Sequence, residues 1–242
     1  MKALVITLIA LIAVVPSRGD SSLRAAVAAN FRDVFLEISQ RYELAGGTAI
    51  SSTFASTGLL YAQIAQGAPY DVFFAADSER PNALIDDGKA LAATLMVYAI
   101  GRLALWTPGW DHPTSDWLRR EWLDKGARIA IANPRHAPYG RAARAVLATY
   151  DGTAAIIYAS NVSQAFHVTT TGAVEGGFVA LAQLTAQNIG ADNYWLVPAK
   201  LHPAIEQYAI VIPTSNAVEA AEFLQFVQSD SIRALIHDAG YR

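Results

Sequence analysis

Cysteine is absent from the 242 residues, which excludes a disulfide framework, a thiolate metal site and the lipid-modified cysteine that tethers many exported proteins to a membrane. Charge is sparse: Asp, Glu, Lys and Arg make up 16% of the chain, and the formal net charge is −3. No basic stripe is available to hold nucleic acid or an anionic membrane surface. The five histidines, at 112, 136, 167, 202 and 237, lack the paired spacing of zinc motifs. A Gly-x-Ser-x-Gly elbow and a Gly-x-x-x-x-Gly-Lys phosphate loop are both missing, so the chain reads as a non-enzyme with no resident cofactor. Long apolar runs are lacking too. The most pronounced, 3–15, follows Lys2 and stops at Pro16, short of the roughly 20 residues that cross a bilayer.

That short run, with Ser17 and Gly19 behind it, has the form of a signal peptide cleaved after Gly19, leaving Asp20 as the new N-terminus. Export without a lipid tether places the protein free in a Gram-negative periplasm, with no stable membrane anchor. From Ser22 onward short β-rich runs alternate with amphipathic ones: 23–28, 31–42, 48–52, 59–66 and 72–75, then 99–106, 129–132, 140–150, 154–158 and 177–181. Such alternation predicts parallel βαβ units. Phe31, Val34, Phe35, Ile38 and Tyr42 recur at helical spacing, which assigns them to a core. The chain then returns through 208–212 to helical segments 216–228 and 230–237. No linker, repeat or low-complexity tract appears. The expectation is an α/β protein of two lobes joined by strands, with 20–98 and 208–242 in one lobe and 99–207 in the other.

Four uncharged stretches each stand before a helix-like run: Ala28-Ala29-Asn30, Ala55-Ser56-Thr57-Gly58, Pro138-Tyr139-Gly140 and Asn161-Val162-Ser163. In open α/β sheets, ligands collect where strands end and helices begin. Each helix start offers unpaired N–H groups and about half a positive charge, enough to hold an anion without Lys or Arg. Asn30, Ser56, Thr57 and Ser163 add side-chain donors. Taken singly, each is an ordinary N-cap; convergence of all four makes an oxyanion receptor. Asp71 and Asp77 read as turn or cap residues, with Asp71 or His136 as the base of an alternative cleft enzyme. Tyr61, Tyr70, Tyr98 and Tyr208 represent the phenolate ligands of an alternative ferric-iron binder, although they fall outside the four stretches.

Val27-Ala28-Ala29-Asn30-Phe31, the run 51–58 and the run 63–77, together with 132–140 and Asn161-Val162-Ser163-Gln164, resemble the molybdate- and tungstate-binding components of ABC importers. These are type II periplasmic binding proteins, and the matching segments extend in order over nearly the whole chain after residue 19. The resemblance implies two lobes closing on one tetrahedral oxyanion, molybdate or tungstate, bound by neutral donors with no metal directly ligated. It implies Ala29, Asn30, Ser56 and Thr57 as first-lobe site residues, with Tyr139 and Val162 as second-lobe backbone donors. Partners implied are an inner-membrane permease and its ATPase, and a monomer is expected. Asn30 and Thr57 stand where serines are commoner, Tyr139 where a small residue is, and Ala180 where many members carry a tyrosine hydroxyl. Phosphate carries a proton near neutral pH and wants an acceptor, which the four stretches do not supply as Asp or Glu. Sulfate passes that test and is the alternative ligand.

Overall fold

The computed structural model describes residues 22–110, 112–150 and 155–242; the expected signal segment, 1–19, lies outside the described residues. The chain runs β1 (Leu23–Ala28), α1 (Arg32–Leu44), β2 (Ile50–Ala55), α2 (Thr57–Ala65), β3 (Val72–Ala75), α3 (Glu79–Asp86) and β4 (Met96–Gly101). It crosses to β5 (Leu103–Trp106), α4 (Ser115–Trp117) continuing as a π-helical turn (Leu118–Asp124), β6 (Ile129–Ala132), α5 (Pro138–Leu147), β7 (Ile156–Ala159), α6 (Val162–Thr170), β8 (Gly176–Ala180), α7 (Leu181–Ala186) and β9 (Tyr194–Leu196). It returns through β10 (Ile205–Val211) to α8 (Ala217–Val227) and α9 (Asp230–Asp238).

The strands form two five-stranded sheets, ordered β2-β1-β3-β10-β4 and β7-β6-β8-β5-β9. Parallel pairing of β1 with β2 and β3, and of β6 with β7 and β8, fulfils the βαβ expectation. In each sheet the fourth strand is antiparallel to the third: β10 against β3, and β5 against β8. The two lobes thus repeat one plan without any repeat in sequence. The apolar run 99–106 is not one strand. It divides at Arg102, with Gly101 closing β4 in one sheet and Leu103 opening β5 in the other. Ala99, Ile100 and Gly101 pair with Gln207, Glu206 and Ile205, so the first sheet extends past the expected edges at 98 and 208. Strand β2 lies later than 48–52 because it pairs in register with β1 from Leu23↔Ile50 to Ala28↔Ala55.

In the first lobe Val34, Phe35, Ile38 and Tyr42 of α1 pack with Phe31, Phe74 and Phe223. The Phe35 ring meets Phe74 at 5.1 Å and Phe223 at 5.7 Å between centroids, both edge-on. Such pairs add about 0.5–1.5 kcal/mol beyond the area they bury. The second core gathers Leu103, Leu105, Ile129, Ile131 and Phe178, and Trp106 stacks on Phe166 at 4.9 Å. Each sheet thus has its own aromatic and aliphatic core, and the two cores meet near the cleft through Ala28, Ala76 and Ala182.

Candidate functional site

β1, β2, β6 and β7 all end at one cleft, and the turns after them bring the four uncharged stretches together. A small, narrow cavity between the lobes is lined by Ala28, Ala29, Asn30, Ser56, Thr57, Ala76, Ala137, Pro138, Tyr139, Asn161 and Val162. All six expected site residues, Ala29, Asn30, Ser56, Thr57, Tyr139 and Val162, are on this wall, and none of the lining residues is charged.

The backbone supplies the donors. Ala29–Phe31 is a 3₁₀ turn directly after β1, and Thr57, Tyr139 and Val162 fall in the first turns of α2, α5 and α6. N–H groups at such positions have no acceptor within their own helix. Among the described residues, those of Asn30, Thr57, Tyr139 and Val162 make no turn, loop or cap hydrogen bond to another backbone group. Pro138 opens α5, where a missing N–H costs nothing, so the first donor of that helix comes from Tyr139. Gly140 follows for a steric reason: a Cβ there would press on the Ala132 carbonyl, 2.8 Å from its carbon. Asn161 caps α6, accepting from the Gln164 N–H at 2.9 Å, which leaves the Val162 and Ser163 N–H groups to the cleft.

The side chains sort differently from the sequence expectation of four added donors. Thr57 Oγ1 accepts from the Ala76 N–H at 3.0 Å, so its own proton remains available to a ligand. Asn30 donates its amide hydrogens inward, to Gln207 Oε1 at 2.9 Å and the Tyr241 hydroxyl at 3.1 Å. Tyr241 in turn donates to the Asn30 carbonyl at 2.8 Å. Ser163 spends its proton on the Ala29 carbonyl at 2.9 Å. Ser56 Oγ lies 3.2 Å from His136 Nδ1. Asn30 and Ser163 are thus removed from the set of side-chain donors, because internal acceptors claim their hydrogens first.

Contacts across the cleft hold the lobes together. The Gly58 N–H donates to the His136 carbonyl at 2.8 Å, and a Cβ at Gly58 would lie 2.6 Å from that of His136. Arg141 reaches Asp77 at 2.8 Å, sharing it with Arg80. Burial, then Arg80 and Arg135, hold the His136 imidazole below its ordinary value. Asp71, wholly buried, ties the start of β3 to the rest of the lobe by accepting from the Arg24 N–H at 2.7 Å and Thr214 at 2.6 Å. Both aspartates thus serve structural contacts. Tyr98 and Tyr139 are pushed well above the ordinary phenol value by burial, and so is Tyr241. These three phenols back the site as neutral groups, not phenolates. Among the described residues no cluster of three His, Asp or Glu is placed to hold a metal ion.

The supporting residues Gln207 and Tyr241 escaped sequence reasoning, since they lie 177 and 211 positions from the Asn30 they hold. Ala76, the acceptor-setting partner of Thr57, escaped too. The signal that existed was its position just beyond the end of a parallel strand.

Two sheet-built lobes, joined at Arg102 and through 197–204, with a small uncharged cavity between them lined by helix starts, define a solute receptor. The chain belongs to the bacterial extracellular solute-binding protein family, whose sequence model matches residues 23–242. It is similar to the molybdate-binding protein ModA of Rhodobacter capsulatus, with 34% identity over 90% of this chain and 86% of that protein. ModA of Azotobacter vinelandii is 33% identical over 91% of this chain and 90% of that protein. The solved structure of the Azotobacter vinelandii periplasmic molybdate-binding protein superposes with a TM-score of 0.83, covering 91% of this chain and 99% of that one.

Proposed function

We propose that this protein captures molybdate in the cleft between its lobes and delivers it to an ABC importer. The observation that carries the reading is the cavity wall: helix starts from four loops line it, the N–H groups of Asn30, Thr57, Tyr139 and Val162 make no turn, loop or cap bond to another backbone group, and no charged side chain lines it. Such a site suits a fully deprotonated tetrahedral dianion. Phosphate, still carrying a proton, meets no carboxylate there. Donors fixed in a closed, dry cleft act at low effective dielectric, so an anion is held without Lys or Arg. Molybdate in particular is supported by the two ModA relatives named above, and tungstate follows as a dianion of the same shape and charge.

The proposed ligand set is the backbone of Ala29, Asn30, Ser56, Thr57, Tyr139 and Val162 together with Thr57 Oγ1. The protein acts without turnover, as a monomer in the periplasm, exported by the segment 1–19. An inner-membrane permease and its ATPase receive the cargo. A thermal-shift series with molybdate, tungstate, sulfate and phosphate at matched ionic strength tests this. A ligand at a thousand times its Kd adds about 4 kcal/mol, which raises the midpoint on the order of 10 °C in a chain of this size. The expected result is that shift with molybdate and tungstate and none with phosphate. A shift with sulfate alone gives the site to sulfate, and no shift with any of the four refutes an oxyanion receptor.

A further inference from the structure

Ser163 makes a contact that the ligand set does not use. Its hydroxyl comes from the second lobe and donates to the Ala29 carbonyl of the first at 2.9 Å. That carbonyl belongs to the same peptide group as the Asn30 N–H. It also accepts from the Arg32 N–H, so both its lone pairs are engaged. Behind Ser163 stands the buried Gln183, whose Nε2 donates to Ser163 Oγ at 3.2 Å. Gln183 Oε1 accepts from the Ala180 N–H at 3.0 Å.

The direction of every proton in this chain is fixed. A backbone N–H only donates, so Ala180 must face Gln183 Oε1, which turns Nε2 toward Ser163. A carbonyl only accepts, so Ser163 must donate to Ala29. The bonds therefore run one way, from Ala180 through Gln183 and Ser163 to the Ala29–Asn30 peptide, whose two residues line the cavity and whose N–H makes no turn, loop or cap bond to another backbone group. Hydrogen bonds aligned in this way polarise one another.

We infer that Ser163, backed by Gln183, is a positioning residue: closure of the second lobe completes a hydrogen-bond relay that polarises the Ala29–Asn30 peptide and strengthens the Asn30 N–H as an anion donor. Lobe closure and anion affinity are thereby coupled through one hydroxyl that does not touch the anion. The inference rests on the oxyanion reading above.

The test is molybdate binding by the wild-type protein and by Ser163→Ala, Ser163→Thr and Gln183→Met, with the Asn30 amide proton followed by NMR in each bound form. Expected are a roughly tenfold loss of affinity in S163A, carried mainly by faster dissociation, and a smaller loss in Q183M. The Asn30 amide proton should move upfield in S163A, while S163T, which keeps the hydroxyl, retains affinity and shift. Wild-type affinity in S163A overturns the inference. So does weakened binding with the Asn30 amide proton unmoved, since Ser163 would then be a latch alone. Failure of the wild type itself to bind molybdate removes the oxyanion reading and this inference with it, whereas equal binding by wild type and S163A removes this inference only.

Discussion

Thr57 carries the clearest division of labour at the residue scale. Its Oγ1 accepts from the Ala76 N–H, and that single bond decides where its proton can go. Thr57→Val deletes the donor and leaves the Ala76 N–H unpaired in a site that is 1% exposed at Thr57. A hydrogen bond to a charged partner is worth about 1.5–3 kcal/mol, so T57V should weaken molybdate binding by about 10- to 100-fold. Thr57→Ser keeps the hydroxyl and should stay near wild type. Calorimetric titration of both variants reads the difference, and equal affinities in T57V and T57S would show that the backbone alone binds. The four stretches were legible in the sequence because helix starts after strands announce themselves through small and capping residues. Which of their side chains keep a proton for the ligand was not legible, since the competitors for Asn30 and Ser163 come from distant segments.

At the scale of elements, α5 shows how a donor is delivered to a fixed point. Pro138 starts the helix, Tyr139 offers its N–H, and Gly140 lets the first turn rest on the end of β6. Gly140→Ala drives a methyl group into the Ala132 carbonyl, and neither backbone segment can yield without moving the turn. The expected cost is about 1–3 kcal/mol of stability, as for other overpacked sites. It should come with a larger fractional loss of molybdate affinity than of thermal midpoint. A variant with normal affinity would mean that the α5 N-terminus does not contribute a donor. The helical and strand periods revealed most elements, including α1 and its aromatic core face. They missed the division of 99–106 at Arg102, because both halves are apolar and buried and nothing local marks a change of sheet. The short α7 and β9 were missed as well, being too brief to show a period.

On the scale of the whole molecule, closure brings the two half-sites into register, and the contacts that hold it are few and named. His136 is among them. Burial, then the cations Arg80 and Arg135, depress its basicity, so the unfolded chain binds a proton that the folded one refuses. The stability tied to neutral His136 is therefore present in full above about pH 6.5 and is lost as the pH falls from there through the depressed folded value. The thermal midpoint of the ligand-free protein should fall between about pH 7 and pH 5 more steeply than that of a His136→Gln variant. Parallel slopes would show that His136 does not report on the folded state. The two-lobed plan was legible from strand and helix alternation, and the crossings were legible only to within a few residues, because strand pairing, not composition, sets where one sheet yields to the other.

Anomalous scattering from molybdenum in a crystal of the molybdate-soaked protein locates the bound oxyanion outright. One site per chain is expected, in the cavity between the lobes, with oxyanion oxygens within hydrogen-bond distance of the Asn30, Thr57, Tyr139 and Val162 nitrogens and of Thr57 Oγ1. Molybdenum in the cationic groove at the crossover, lined in part by Arg102, His202 and Arg242, with the cavity between the lobes empty, would contradict that expectation.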